Sequence, residues 1–277
     1  QPLTNEDGSL VITYNGEVYN YLELATELRH AGHEFRTRSD TEVLIHAWEE
    51  WGPRMFERLN GQFAFAIHDR RTHTTVLARD RFGVRPLYYA QPAGDLVFAS
   101  EVKALFASGE VDPAPDPVGL DEVFTFWSAR APRTVFAGVS QLPPGCFGVW
   151  REGQLAVTRY WAPEYEQGSA EPADALEQLD DLLNSSVKLR MRADVPVGAY
   201  LSGGLDSTVT GTLAAQTSPF ALRSFSVSFA DPALDESPHQ RAVAETLRTQ
   251  HAVQLIGAEE IGAVFPDVLW HTETPII

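Results

Sequence analysis

The sequence predicts an α+β domain with antiparallel sheets over residues 1–162, followed by an α/β doubly wound parallel-sheet domain over residues 174–277. Three observations predict this. The first part mixes short β-rich runs and turn signals with two amphipathic helical stretches, whereas the second alternates strands and helices, the mark of a parallel sheet. Between them "APEYEQGSAEPADA" breaks every period with Pro, Gly, Ser and acids. A chain of 277 residues, 44% of them hydrophobic, is long enough for two real cores.

Taken in order, "SLVITY" (Ser9 to Tyr14) is β-rich, and "NGE" (Asn15 to Glu17) supplies the asparagine-glycine chemistry of a tight turn, so the strand is expected to end there. "YLELATELRHAG" spaces Leu22, Ala25, Leu28 and Ala31 at helical intervals and closes on Gly32 as a C-cap. "SDTEVLIHAWEEWG" opens with Ser39 and Asp40 as caps and ends on Gly52, with Trp48 and Trp51 expected in the core. From Gly61 to Ser100, four β-rich runs separated by "DRRTH", "RDRFGVRP" and "QPAGD" predict an antiparallel meander. A further β-flavoured stretch runs from Thr134 to Trp161.

In the second part "ALEQLDDLLNSSVKLRM" places Leu179, Leu182, Leu183 and Val187 on one helical face. "VPVGAYL" is apolar throughout, as a buried parallel strand would be. Helix "STVTGTLAAQ", strand "RSFSVSF", helix "SPHQRAVAETLRTQ" and strand "AVQLI" follow. Asp235 and Glu236 fall where a helix begins and read as caps. No fixed-period repeat is present.

Charge and cysteine content narrow the function. A formal charge of −17, from 38 acidic against 21 basic residues, leaves no basic stripe for a phosphate backbone, so nucleic acid is not an expected partner. The single cysteine, Cys146, cannot form an internal disulfide. No signal peptide or apolar run of about 18 residues is found, which predicts no membrane association and a cytoplasmic setting. Gln1 is not an initiator methionine and "LWHTETPII" has no helix stop signal, so the chain is expected to be cut at both ends. The eight histidines show no ligand spacing, His30 and His33 being mere neighbours, and no zinc site is expected.

The most informative stretch is "SGGLDS", Ser202 to Ser207, where the first parallel strand meets its helix, the place at which open α/β sheets bind ligands. Glycines let backbone N–H groups approach an anion, and a helix N-terminus adds favourable partial charge. A plain β–α connector would also use two glycines, but it needs neither the flanking serines nor Asp206. That aspartate would repel phosphate unless a divalent cation such as Mg²⁺ lay between them. The chain has no GxxxxGK[ST], and its two lysines, Lys103 and Lys188, lie elsewhere, so this is not a Walker loop.

"LSGGLDS" resembles the pyrophosphate-binding loop of the ATP pyrophosphatases, which cleave ATP between its α and β phosphates. "YNGEVYNY", "SDTEVLIHAWEEWG", "GQFAFAIHD", "RDRFGVRPLYY" and "ASEVKAL", in this order, resemble the class II glutamine amidotransferase domain of the glutamine-hydrolysing asparagine synthetases. The resemblance runs from about Asn5 to Ile277. It implies an Ntn-hydrolase-like αββα sandwich and then the synthetase domain, with glutamine, aspartate and ATP as substrates, Mg²⁺ as cofactor, and a homodimer. By the same resemblance Asn15 and Gly16 match the oxyanion-stabilising pair, a side-chain amide and a backbone N–H. Glu17 and Asp40 match the residues that, with that pair, bind glutamine. Leu201, Ser202, Gly203, Gly204, Leu205, Asp206, Ser207 and Val227 match the ATP site, Asp206 being the metal candidate. Read without the resemblance, "NGE" is a hairpin turn, Asp40 a cap, and Leu201 and Val227 plain core.

The family's N-terminal nucleophilic cysteine and its upstream arginine motif have no counterpart here, and its "SGEGSDE"-type loop would lie beyond Ile277. Cys146 cannot substitute, because this chemistry uses the terminal amine as base. The polypeptide as given is therefore expected to be inactive. Two rivals stay open: a ligase on the same scaffold that adenylates another carboxylate, as β-lactam synthetases do, and a non-catalytic nucleotide- or amino-acid-binding protein.

Overall fold

The structure, a computed structural model, describes residues 1–165 and 171–275. The described residues divide into two compact units, one of residues 1–165 and 271–275, the other of residues 171–270. Residues 166–170 of the predicted linker, and the apolar pair Ile276 and Ile277, lie outside the described residues.

In chain order the first unit holds β1 (Leu3–Thr4), β2 (Leu10–Val18), α1 (Tyr21–His30), α2 (Asp40–Trp51), α3 (Met55–Arg58), β3 (Gly61–Asp69), β4 (Thr74–Arg79), β5 (Tyr88–Ala90), β6 (Val97–Ala99), α4 (Val102–Ala107), α5 (Pro117–Phe126), β7 (Ser140–Gln141), β8 (Cys146–Arg151) and β9 (Gln154–Arg159). One antiparallel sheet runs β1-β2-β3-β4-β8-β9, and a smaller one runs β6-β5-β7. Burial shows the layering. Leu10, Ile12, Phe63, Phe65 and Ile67 face Leu24 and Leu28 of α1 and Leu44 and Ile45 of α2. On the opposite face Ala64, Ala66 and Leu77 meet Leu87, Tyr89 and Leu142 at the second sheet. Beyond that sheet, Val102 and Leu105 of α4 pack on Val97, Ala99 and Val139. Helix, sheet, sheet and helix are thus stacked, and β3 is apolar on both faces because both are covered.

Three details differ from the sequence reading. The strand does not turn at "NGE": β2 runs on to Val18, pairing Asn15 with Ala64, Gly16 with Phe63 and Glu17 with Gln62. Here glycine permits a close approach rather than a turn, since a Cβ on Gly16 would fall on the Gln62 carbonyl and one on Gly61 on the Glu17 carbonyl. The four β-rich runs do not form one meander either. After β4 the buried Asp80 carboxylate accepts the amides of Phe63, Phe82, Val84 and Arg85 at 3.0–3.1 Å, turning the chain into the second sheet. Leu24, Ala25 and Leu28 form the buried face of α1, whereas Leu22 is exposed; Trp48 and Trp51 are half-buried at the rim, Trp51 under the Arg58 guanidinium at 4.2 Å.

The second unit continues with α6 (Pro172–Arg190), β10 (Gly198–Tyr200), α7 (Leu205–Thr217), β11 (Arg223–Phe229), α8 (Ser237–Leu247) and β12 (Gln250–Ile256); α9 (Ala258–Thr272) follows. The sheet β10-β11-β12 is parallel throughout. Its first strand differs from expectation: only three residues pair, Tyr200 is exposed, and Leu201 just beyond is the buried residue. In β11 it is Ser224, Ser226 and Ser228 that are buried, while Phe225 and Val227 stay over 40% exposed. Two of these serines tolerate burial because their hydroxyls are occupied: Ser226 donates to the Leu201 carbonyl, and Ser224 Oγ lies 2.6 Å from Thr249 Oγ1 and 2.8 Å from His251 Nδ1. On α6 the predicted apolar face is not buried; Leu179 and Leu182 are exposed, Leu183 and Val187 half-buried. The sequence reading passed over the short helices α3 and α4 and also α5 and α9, although Asp116 as N-cap with Pro117 at the first helical position marks the start of α5; α9 contains Pro266. No described helix is long and apolar enough to cross a membrane.

Candidate functional site

In the first unit the predicted residues meet where β2 runs beside the start of α2. Ser39 caps α2 by accepting the Thr41 amide at 3.2 Å, leaving Asp40 as the first helical residue. Asp40 Oδ2 reaches across to β2, accepting the Tyr14 hydroxyl at 2.7 Å and the Val18 amide at 2.9 Å. Asp40 is thus more than a cap. Burial first, and then the Asp40 carboxylate, push the Tyr14 phenol far above its ordinary range, so this hydroxyl stays a donor. Behind the site, Glu42 pins the loop leading into α2: its carboxylate accepts the Arg36 amide at 2.7 Å and the Thr37 amide and hydroxyl at 2.6 and 2.5 Å. Burial alone would raise the Glu42 pKa, but these bonds, with His46 nearby, hold it below the usual value.

On the same strand Asn15 Nδ2 donates to Ser100 Oγ at 3.3 Å, beyond the end of β6. The side-chain amide is therefore held from the second sheet while its backbone stays in the first. Asn15 and Gly16 are half-buried and Glu17 is exposed. The structure brings Asn15, Gly16, Glu17 and Asp40 to one stretch of β2 and the helix end beside it. It also adds two residues that sequence reasoning passed over, Tyr14 and Ser100. Both lie inside quoted motifs, "YNGEVYNY" and "ASEVKAL", but nothing in their spacing pairs them with Asp40 and Asn15. A separate cavity of about 710 Å³ in this unit, lined by Arg79, Phe82, Tyr88, Arg130 and Gln141 among others, holds none of the predicted residues.

In the second unit the "SGGLDS" loop joins β10 to α7, whose N-cap is Gly204. Gly203 has φ +85°, a left-handed conformation, and a Cβ there would stand 2.8 Å from His239 Cβ on α8. Ser202 and Ser207 close the loop. Their hydroxyls are 2.9 Å apart, the Ser202 amide donates to Ser207 Oγ at 3.2 Å, and the Gly204 amide donates to Ser202 Oγ at 3.3 Å. The amides of Leu205, Asp206 and Ser207 form the first turn, which a helix leaves without intrahelical acceptors. Asp206 is exposed there, and its carboxylate takes no hydrogen bond or ion pair among the described residues. Leu201 is buried at the loop's root, and Val227 sits on neighbouring β11, its carbonyl accepting from Gln240 Nε2 at 2.9 Å. Of the two predicted caps of α8, Asp235 acts as one, accepting the Ser237 amide at 3.1 Å, and Glu236 makes no capping bond. The first-turn N–H groups of α7 and the exposed Asp206 carboxylate lie together at the loop, the chemistry of an anion site with room for a cation, while the Ser202 and Ser207 hydroxyls bond each other and, through Ser207, the Gly204 carbonyl at 3.2 Å.

Comparison with known proteins places these sites in context. Residues 1–161 match the family described as glutamine amidotransferase domain, and residues 178–277 match asparagine synthase. The chain is 34% identical over 277 residues to asparagine synthetase [glutamine-hydrolyzing] 1 of Bacillus subtilis, covering 100% of this chain and 44% of that protein. It is 36% identical over 275 residues to a putative asparagine synthetase of Mycobacterium tuberculosis, covering 96% of this chain and 42% of that one. Amidase chyE of Penicillium rubens is 31% identical, with 100% and 43% covered. The chain thus spans less than half the length of these curated relatives. Among solved structures, glutamine phosphoribosylpyrophosphate amidotransferase of B. subtilis aligns with a TM-score of 0.45 and 18% identity, over 93% of this chain and 64% of that one.

Proposed function

We infer the function from one premise: the chain belongs to the glutamine amidotransferase domain family over residues 1–161 and continues into a match to asparagine synthase over residues 178–277. In this reading the whole protein makes asparagine. Glutamine and water give glutamate and ammonia in the first unit. In the second, the aspartate side-chain carboxylate attacks the α-phosphorus of ATP to form β-aspartyl-AMP, expelling pyrophosphate, and ammonia then displaces AMP at the acyl carbon.

The observation that carries the reading is the "SGGLDS" loop, with Gly203 in a conformation suited to glycine and two serine hydroxyls beside a helix N-terminus. The Gly203 amide and the first turn of α7 receive the departing pyrophosphate, and the Gly204 amide and the Ser202 and Ser207 hydroxyls exchange their bonds within the loop for bonds to it. Leu201 and Val227 wall the nucleotide. The exposed Asp206 carboxylate and its serine neighbours offer the oxygen donors Mg²⁺ prefers; bound there, magnesium would neutralise the diphosphate charge. In the first unit, Asn15 Nδ2, steadied by Ser100, and the Gly16 N–H receive the tetrahedral oxyanion, while Glu17 and Asp40 hold the glutamine α-ammonium. A homodimer and a cytoplasmic setting belong to the same proposal.

The test uses the full-length protein. Asp206→Asn should abolish ATP–pyrophosphate exchange and leave glutamine hydrolysis largely in place. Loss of both activities in a folded variant would contradict the division of labour. Exchange supported by another amino acid, and not by aspartate, would replace aspartate as the acceptor.

A further inference from the structure

We propose that the first unit carries a divalent transition-metal site of the zinc class, formed by Glu6, His33 and His46 with Glu49 as the fourth donor, sharing no ligand with either site above. Among the described residues, Glu6, His33 and His46 each offer one ligand atom, and these atoms lie within 4.8 Å of one another. His46 Nδ1 is 3.2 Å from Glu49 Oε2 and 3.8 Å from Glu6 Oε1, and His33 Nδ1 is 4.0 Å from the same Glu49 oxygen. Zinc bound at about 2.0–2.2 Å by nitrogen and oxygen spaces tetrahedral donors about 3.4 Å apart, so side-chain movements of roughly 1 Å bring Glu6, His33 and His46 to that spacing, with Glu49 Oε2 already 3.2 and 4.0 Å from the two imidazoles. Two imidazoles with two carboxylates suit Zn²⁺ and its neighbours rather than Mg²⁺ or Ca²⁺.

The surroundings favour a metal over a chance meeting of charges. His33 Nε2 lies 3.2 Å from Glu50 Oε2; donating its proton there leaves the Nδ1 lone pair facing the cluster, the carboxylate–histidine–metal pattern. On His46, Glu42 Oε1 stands 3.8 Å from Nε2, facing it but beyond hydrogen-bond reach. The second case is the telling one. His46 is 1% exposed, and its Nε2 has no hydrogen-bond partner. If Nδ1 carried the proton, donating to Glu49, Nε2 would be a buried lone pair facing a carboxylate. With a metal on Nδ1, the Nε2 proton faces Glu42 instead. Asn5 Nδ2 donates to Glu49 Oε1 at 2.8 Å, which leaves Oε2 to the cluster. The open side is Glu6, in the loop between β1 and β2, where an ion can enter. The site would tie that loop, the segment after α1, and α2, the helix that presents Asp40. It reverses the sequence expectation of no zinc, which rested on linear spacing; His33 and His46 stand thirteen positions apart and meet only through the packing of α1 on α2.

The test is titration of the tag-free, chelator-stripped 277-residue chain with Zn²⁺ alone by calorimetry, followed by Co²⁺ substitution. The expected result is one equivalent of Zn²⁺ bound, a rise in Tm on addition, and a Co²⁺ visible spectrum of low-symmetry four-coordinate form. Glu6→Gln, on an exposed loop and safe for folding, should weaken binding at least tenfold, and His33→Gln should remove it. Stoichiometric zinc binding that survives both changes would overturn the assignment. So would the absence of binding by folded wild type.

Discussion

Tyr14 and Asp40, twenty-six residues apart, share a 2.7 Å hydrogen bond that joins β2 to the first residue of α2. The same carboxylate oxygen accepts the Val18 amide at 2.9 Å, so the carboxylate is oriented from two directions before any ligand arrives. Tyr14→Phe keeps the ring and removes only the donor. If Asp40 holds glutamine as proposed, the glutamine KM of the full-length protein should rise several-fold with a smaller change in kcat, and stability should fall by about 1.5–3 kcal/mol, the usual cost of a lost hydrogen bond to a charged group. Steady-state glutaminase assays and urea unfolding measure the two effects. An unchanged KM would show that Asp40 does not depend on Tyr14.

Gly16 tests whether β2 and β3 need their close approach. Gly16→Ala places a methyl group on the Gln62 carbonyl, in a ladder that cannot retreat because both faces of β3 are packed. Relief requires the two strands to part, at a cost of about 3 kcal/mol or more, within the range of severe overpacking. Chemical unfolding of the chain reads the loss. A variant as stable as wild type would mean that the strands separate without penalty, and the case for glycine at this position would then rest on the oxyanion alone.

These residues also show what was legible in the sequence. The motif positions Asn15, Gly16 and Ser202 to Ser207 could be found in one dimension, because turn-like dipeptides and small-residue loops are local. Their structural meaning was less legible. Asn-Gly looks like a turn whether its glycine supplies a positive-φ corner or clears space for a neighbouring strand, and only the partner strand, forty-five residues on, decides. The strand "RSFSVSF" was likewise legible but its buried face was not, because burial followed the hydrogen bonds of Ser224 and Ser226 rather than hydropathy. Ser100 was invisible as a partner of Asn15, since no periodicity links a strand of one sheet to the residue just past the end of a strand in another.

The Glu42 clamp predicts an acid limb. Its folded pKa lies below its ordinary value of 4.5, so its contribution to stability is complete above the unfolded pKa and is lost as pH falls through the folded one. Glu42→Gln should lower Tm at neutral pH and show less of the further drop below about pH 4.5 that wild type displays. Thermal melts between pH 3 and pH 7 compare the two, and parallel curves would mean that another carboxylate governs the limb.

The last prediction sets neighbouring glycines against each other. Gly203 is at φ +85°, with His239 Cβ 2.8 Å from where its own Cβ would be, while Gly204 has an ordinary extended backbone, and its nearest atom to an added Cβ is Ser202 Oγ at 3.4 Å. Alanine at 203 must therefore strain the backbone and push α8 away, for a combined cost of about 2–3 kcal/mol. At 204 alanine is merely a poorer helix cap, costing about 1 kcal/mol. If the loop grips pyrophosphate through its amides, G203A should abolish ATP–pyrophosphate exchange, and G204A should retain a measurable fraction with a raised KM for ATP. The loop geometry, rather than glycine content, then sets activity. Equal loss in both variants, with the fold intact by circular dichroism, would point instead to a demand for open space at 204 and place the diphosphate nearer that residue than the backbone alone suggests.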